Sequence, residues 1–474
     1  MGEHLAGSAL PANSAATARG PGLTLREQLL ADPIRPPEPL LTESPSFEGD
    51  EDLPFEPYLS ARHAEQEISH VWGKVWQWAC HLDHLPEPGD YCVYDVGPYS
   101  ALVVRAGHGE IKAYVNSCMH RGTQLRPAGS CGFAQQLTCP FHGWTWSLEG
   151  ELIDVPSRWD FPHVSAESHR LAEIPVGVWG GFVFVSFDPD VMPLEQYLGV
   201  LPRHFAEICG EWDLDQRYIE THVRKRLPCN WKAAAEAFIE AYHVRETHAT
   251  GRPGDEVTAQ YDVFEPNVSR FIHTIGMDGP ERPVPRTEQQ MLDHLTRNIR
   301  HGMEPLELPA GLRARDFYAQ LTKDTMGAQY GHDFSGLSQS VTLDSIEYFL
   351  FPNAFFFPGL SLPMVYRFLP DPDDVDVCSF ELLMMRPRPA NGDAPPPPQV
   401  VELEVDDSYT LASGLGGLGR VYDQDTANLA AQTRGFKASA KAGQTLGNYQ
   451  ESRVRHLQRR VRECIAAGES AAKP

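Results

Sequence analysis

Hydrophobic positions along the chain change their period several times, and each change marks a different kind of element. Thr24-Leu25-Arg26-Glu27 is a capping-box pattern that predicts a short helix running to about Asp32. Pro33, Pro36, Pro37 and Pro39 stop it. The acidic, turn-rich stretch Glu48–Asp52 closes this N-terminal arm, taken as residues 1–54, whose first 22 residues are rich in Ala, Gly, Ser and Pro and predicted to be disordered. From Ser60 to about Trp76, Ala64, Ile68, Val71, Trp72 and Val75 recur at spacings of three and four, the signature of one apolar helix face. Between Gly89 and about Gly150 the period drops to two. Tyr91–Tyr94, Ala101–Val104 and Ile111–Val115 read as strands broken by Gly and Asn.

The strand-like run Gly180–Phe187 leads into a second unit. Residues 230–248 are mostly helix formers. Residues 250–340 are polar and poorly periodic and predict helices and loops covering a pocket. Leu343 to about Phe357 and Val375 to about Met385 read as strands, Pro387–Pro398 as a turn. Asn448–Ile465 places Val454, Leu457, Val461 and Ile465 on one helix face and basic residues on the other. No internal repeat is visible. Short strands first and mixed elements afterwards predict an α+β chain of two or three domains, which 474 residues can supply with real cores.

Composition narrows the setting. Hydrophobic residues make up 42% and charged residues 22%, ordinary values for a globular protein in water. The formal charge of -24 argues against nucleic acid and anionic membrane surfaces as partners. No stretch nears the roughly 18 apolar residues that span a bilayer, and no basic-then-apolar leader opens the chain. The nine Cys are scattered, which predicts mostly buried, reduced thiols and a cytoplasmic protein.

Four of those ligand-type residues stand in a pattern. Cys118-Met119-His120 is followed by Cys139-Pro140-Phe141-His142, each just after a predicted strand, so that the ligands sit on rigidly held loop tips. Two thiolates and two imidazoles are the donor set of a Rieske [2Fe–2S] centre, with both Cys on one iron and both His on the other. The competing reading is a structural zinc site, but zinc motifs space paired ligands more widely than Cys-x-His. Further on, His243 and His248 lie close together beside Glu236 and Glu240. With one more carboxylate they would make a 2-His-1-carboxylate iron site open to dioxygen. Taken alone, two nearby His are more often packing or surface residues. Beside an electron-transfer cluster they suggest an oxygenase.

These residues carry a resemblance. Cys118-Met119-His120-Arg121-Gly122, Cys139-Pro140-Phe141-His142-Gly143-Trp144, Asn230-Trp231-Lys232, and Glu240-Ala241-Tyr242-His243 with His248 resemble the large (α) subunit of Rieske non-haem iron oxygenases. The resemblance runs from about residue 24 to the end. It implies an antiparallel β-rich Rieske domain, placed at 55–165, and a helix-grip catalytic domain with a curved antiparallel sheet and helices, placed at 166–474. It implies a third iron ligand on a late helix, for which Asp425 with Gln432 looks right and Asp423 is the competitor. It implies that Glu240 hydrogen-bonds His243 and reaches a cluster-binding His142 of the next subunit in a head-to-tail homotrimer, with or without a small β subunit. It also implies an external NAD(P)H-dependent reductase, with or without a ferredoxin, and no Gly-rich dinucleotide fingerprint is visible here. The substrate would be a hydrophobic, ring-type compound. Aromatic-ring dioxygenases usually carry Asp at the bridge and Asn four positions earlier, whereas this chain has Glu240 and Glu236. That departure points towards the monooxygenase branches, including those acting on quaternary ammonium compounds. The rivals from other classes are a Rieske electron carrier without oxygenase activity and a zinc-stabilised interaction protein. Phe238 and Ile239 are candidate pocket residues, while the aromatics between Phe349 and Phe357 read as core.

Overall fold

The computed structural model describes residues 22–248, 259–279, 284–296 and 305–471. The disorder predicted for residues 1–22 thus falls outside the described residues except at Gly22. The arm begins with the helix Leu25–Leu29, whose capping box is present in full. Leu25 and Leu29 are buried with Leu40 and Leu41 in the main core. The arm is also fastened by charge. Arg315 is buried between Asp32 (2.9 Å) and Asp344 (2.6 Å). Arg270 donates to the carbonyls of Pro39 (2.6 Å) and Thr42 (2.8 Å).

The first unit is built on two small antiparallel sheets. One is ordered Ile111–Val115, Tyr99–Arg105, Asp90–Val96, Cys131–Phe133, the other Leu137–Thr138, Thr145–Trp146, Leu152–Asp154. Leu102, Val104, Tyr114, Leu137, Trp144 and Trp146 fill a core of their own. A third sheet pairs Val176–Trp179 and Phe182–Val185 with Gln77–His81.

The second unit is an eight-stranded sheet ordered Ala259–Phe264, Val268–His273, Ser345–Leu350, Ala354–Phe356, Met364–Pro370, Cys378–Pro387, Arg217–Leu227, Val401–Leu403. Every pairing is antiparallel except the last. The helices Trp231–Glu236, Leu418–Ala427 and Ser452–Ala471 accompany this sheet. The predicted α+β class, with main sheets antiparallel but for that one edge pairing, is the one observed. Among the described residues, no helix is long and apolar enough to cross a membrane.

Two sequence expectations need correction. The helix expected over Ser60–Trp76 is α only over Ala61–Glu67. It widens into a π-turn at Ile68–Trp72 and ends at Gly73. The strand Gln77–His81 behind it has all five residues buried, so it carries no alternation to read. The hairpin Ala259–Phe264 with Val268–His273 was hidden for a related reason: polar residues occupy buried positions. Asp262 and Arg270 are both fully buried and paired at 2.6 Å, so each charge is compensated inside the fold by the other. The Cys are mostly free and buried, as expected, with one exception. Cys92 and Cys131 form a disulfide, while Cys80, Cys118, Cys139, Cys209, Cys229 and Cys378 are free and buried and Cys464 is free and half-buried.

Candidate functional site

The two Cys/His loops have the same backbone construction. Cys118 N–H donates to Thr123 O and Gly122 N–H to Cys118 O; Cys139 N–H donates to Trp144 O and Gly143 N–H to Cys139 O. Gly122 and Gly143 both have φ +76°, a left-handed turn that glycine adopts without strain. Each loop therefore folds back on its own Cys and presents a His beyond it. The His120 and His142 rings stand 4.7 Å apart, and His120 stacks on Trp144 at 4.9 Å. Cys118 and Cys139 are buried side by side behind them. The His120 Nδ1 atom is buried with no hydrogen-bond partner. A buried polar atom left unpaired is costly, and iron at that nitrogen would satisfy it. The donor set and this orphaned nitrogen fit a [2Fe–2S] cluster with Cys118, His120, Cys139 and His142 as ligands. Phe141 and Met119 are exposed at the tip.

The second set converges from two elements far apart in sequence. Asn230 caps the helix Trp231–Glu236, accepting from Lys232 N–H (3.0 Å). The chain then turns at Glu240, whose carboxylate accepts the N–H groups of Tyr242 and of His243 (3.0 Å). That turn launches the short helix Val244–Thr247 and sets His243 and His248 at its two ends. Asp425 arrives on the helix Leu418–Ala427. Its Oδ1 lies 2.9 Å from His248 Nε2 and 3.4 Å from His243 Nε2. One ligand atom from each of His243, His248 and Asp425 lies within 4.8 Å of the others. Each ring is held from behind. Glu240 Oε1 sits 2.7 Å from His243 Nδ1, and Gln424 Oε1 sits 3.0 Å from His248 Nδ1. These acceptors place a proton on each Nδ1, so both rings turn Nε2 towards Asp425.

Electrostatics describe the same focus. Burial pulls the His243 imidazole down, but its hydrogen bonds to the Asp425 and Glu240 carboxylates outweigh it and carry it up to about 10. Burial likewise pulls the His248 imidazole down, but its hydrogen bond to Asp425 outweighs that and raises it. Burial raises Asp425, yet the two imidazoles bring its carboxyl below the ordinary range. Three groups that share protons so tightly are a site from which a divalent cation displaces protons. The donor set fits ferrous iron of the facial-triad type.

The competitor Asp423 is engaged elsewhere, accepting Ser408 Oγ (2.6 Å) and Tyr409 N–H (2.9 Å). Gln432 lies on the next helix, Leu429–Ala438. Sequence reasoning missed Gln424, and its adjacency to Asp425 was the only signal available. Gln424→Leu is expected to weaken iron retention and turnover about tenfold, the lower end for loss of a group that orients a ligand. Iron content after dialysis against a chelator checks it. Ile239 is fully buried, and Phe238 packs against Phe380 (5.6 Å), Phe368 (5.3 Å) and Tyr422 (6.0 Å), so both belong to packed core. The aromatics from Phe349 to Phe357 are buried as expected.

Glu236 marks a second buried network on the same helix. It accepts from Tyr58 Oη (2.7 Å) and Gln458 Nε2 (2.5 Å), with Gln444 Nε2 at 3.4 Å. Lys232, one turn earlier, pairs with Glu67 at 2.5 Å, and Trp231 Nε1 donates to the same carboxylate at 2.9 Å. Burial pushes the Glu236 carboxyl up to about 7 against those hydrogen bonds and Lys232. A carboxyl raised on folding holds its proton longer in the folded state than in the unfolded one. Its contribution to stability is therefore complete below the unfolded value near 4.5 and fades as pH rises through about 7. Glu236→Gln is expected to remove that part of the decline, which denaturant midpoints at pH 5.5 and 8 would measure.

Comparison with known proteins adds an independent line. The family described as ring hydroxylating alpha subunit (catalytic domain) matches residues 209–467, and the Rieske [2Fe-2S] domain matches residues 75–165. The biphenyl 2,3-dioxygenase subunit alpha of Rhodococcus jostii (strain RHA1) is 32% identical over 190 residues, 40% of this chain and 41% of that protein. The carnitine monooxygenase oxygenase subunit of Escherichia coli (strain K12) is 27% identical over 223 residues, 47% of this chain and 56% of that protein. The chain thus spans only 41% and 56% of these two curated relatives. A solved quaternary ammonium Rieske monooxygenase in complex with L-carnitine superposes with a TM-score of 0.61 at 17% identity, covering 87% of this chain and 95% of that one. That last likeness is one of fold.

Proposed function

The chain belongs to the ring-hydroxylating oxygenase alpha subunits, and from that premise we propose that it is a terminal oxygenase component. It takes electrons from a separate NAD(P)H-dependent reductase, directly or through a ferredoxin, and hydroxylates an aromatic or other hydrophobic ring compound with dioxygen. The observation that carries this reading is the presence in one chain of both a two-Cys, two-His cradle and a cluster of His243, His248 and Asp425. Cys118, His120, Cys139 and His142 would hold the Rieske cluster; His243, His248 and Asp425 would hold the ferrous ion. When bound, these groups supply stored electrons and coordination positions open to dioxygen.

The rest falls to side chains. Glu240 and Gln424 hold the two imidazoles in one tautomer and orientation. Tyr422, three residues before Asp425 on its helix, packs with Phe238 and Phe380 into an aromatic wall that keeps water from that side of the site. For a monohydroxylation the balance is substrate-H, dioxygen, two electrons and two protons in, and alcohol and water out. Two electrons per turnover match one from each site. Glu240 also serves the route between a neighbouring copy's cluster and the iron in a head-to-tail trimer. The half-exposed His142 beside an exposed Phe141 supports a tip made to dock.

A second reading is oxidative N-dealkylation of a quaternary ammonium compound. Glu240 and Glu236, standing where ring dioxygenases carry Asp and Asn, favour it. Oxygen uptake with a surrogate reductase and a panel of polycyclic, aromatic-acid and trimethylammonium compounds separates the two by product. A protein with a cluster but no mononuclear iron and no oxygen-dependent product would be an electron carrier. A colourless, zinc-loaded protein would end both readings.

A further inference from the structure

The segment joining the two ligand loops is fastened at a point that the oxygenase reading does not use. Strand Cys131–Phe133 is the edge of its sheet and meets Asp90–Val96 through three pairs: Asp90 with Phe133, Tyr91 with Gly132, and Cys92 with Cys131. All three residues of the edge strand are exposed, whereas Cys92 is buried. The facing cysteines, 4.1 Å apart at Cα, are joined as a disulfide. A covalent bond at the exposed edge of a three-pair ladder is its main anchor.

Next to it stands the group that ties the two loops together. The Arg126 guanidinium lies over the Tyr91 ring at 5.1 Å. Gly132 faces that same tyrosine, and a Cβ there would come within 2.9 Å of its hydroxyl. Arg126 Nη1 donates to Leu125 O (2.7 Å) and Thr138 O (3.1 Å), and Nη2 to Gln136 O (3.2 Å). Thr138 immediately precedes Cys139. On the other side, Asn116 Nδ2 donates to Arg126 O (2.9 Å), and Asn116 Oδ1 accepts the N–H groups of Leu125 (3.1 Å) and Arg126 (3.0 Å). Asn116 stands two residues before Cys118. Arg126 therefore joins the lead-ins of both ligand loops, by its side chain to the second and through its backbone and the Asn116 side chain to the first, and its platform Tyr91 neighbours Cys92.

We propose that Cys92–Cys131 is a reversible redox-modification site, opened by a dithiol reductant, that sets how firmly the two loops hold the cluster. A reductant thiolate attacks the Sγ of exposed Cys131. The Sγ–Sγ bond breaks, and Cys92 leaves as a thiolate and takes up a proton. The second reductant thiol then attacks the mixed disulfide, releasing Cys131 as a thiol and leaving the reductant oxidised. Two electrons and two protons pass to the cysteine pair. With the bond open, the edge strand keeps only its short ladder, and the Tyr91–Arg126 platform loses its support.

The cluster part of this inference rests on the proposed function; the disulfide part does not. The test uses oxidised holoprotein, treated natively with dithiothreitol, alkylated, and mapped by mass spectrometry. Cys131 and Cys92 are expected to be labelled before the buried Cys80, Cys209, Cys229 and Cys378. Cluster loss to a ferrous chelator, followed by visible absorbance, is expected to run about fivefold to tenfold faster once the bond is open, with faster amide exchange over residues 125–138, as for any local loosening. Cys131→Ser is expected to lose its cluster at the fast rate with or without the dithiol. If that variant does not fold, the oxidised and reduced wild-type forms carry the comparison alone. A missing 92–131 link, a link that resists the dithiol, or unchanged cluster loss and amide exchange on opening would overturn the proposal. A preparation without iron and sulfide instead counts against the proposed function, and amide exchange still judges the disulfide.

Discussion

Asp425→Ala is expected to strip the mononuclear iron and lower turnover by about a thousandfold or more, beyond the roughly 10–100-fold of a change behind the ligands. Among the described residues, Asp425 Oδ1 is the one acceptor that both His243 Nε2 and His248 Nε2 approach, at 3.4 and 2.9 Å. Without it, two imidazoles face each other with no anion between them. Two neutral ligands hold a hard divalent ion poorly. The Cys118, His120, Cys139 and His142 loops lie in a separate core and take no support from Asp425. The Rieske visible spectrum should therefore survive. Iron analysis giving two cluster irons and no third, with oxygen uptake lost, is the expected result. A variant that keeps its third iron would remove Asp425 from the ligand set. Asp423→Ala is the control, expected to keep both metals.

Glu240→Gln is expected to reduce turnover more than about 100-fold while both metal centres stay loaded, exceeding what a purely orienting role would cost. As a carboxylate, Glu240 only accepts: from His243 Nδ1 at 2.7 Å and from the N–H groups of Tyr242 and His243. Glutamine offers one oxygen for both tasks. Whichever way its amide turns, an N–H donor faces another donor. The charge that favours an imidazolium-like His243 also disappears. If Glu240 merely orients His243, the loss stays within 10–100-fold and tracks iron content. If it lies on the path between cluster and iron, the cluster still reduces but no longer discharges in a single turnover with substrate and oxygen. Stopped-flow absorbance of the pre-reduced protein distinguishes the two. Near-normal turnover would take Glu240 out of the mechanism.

How much of this was legible in the sequence differs between the two centres. The cluster ligands stand in pairs two and three residues apart, so loop chemistry alone brings each Cys to its His. The glycines that let both loops turn back, Gly122 and Gly143, are written beside them. The iron site was legible only in half. His243 and His248 are close in sequence, but periodicity gave no reason to choose Asp425 over Asp423, and the choice leaned on resemblance. The structure supplies the reason. Residues two apart on an α-helix point roughly 200° apart, so Asp423 faces Ser408 and Tyr409 while Asp425 faces the imidazoles. Gln424 was missed because its partner, His248, lies 176 residues away.

By itself, then, the order of residues pointed to the donor atoms proposed for the cluster, the antiparallel strands around them and the oxygenase class. It did so because those features depend on neighbours within a few positions. The strands Gln77–His81, Ala259–Phe264 and Val268–His273, the meeting of Asp425 with His243 and His248, the Gln424 amide behind His248 and the Cys92–Cys131 bond were decided only by the folded chain. Each of these is a meeting of distant segments, and where a strand is buried on both faces or a charge is neutralised by a remote partner, no local pattern survives to announce it.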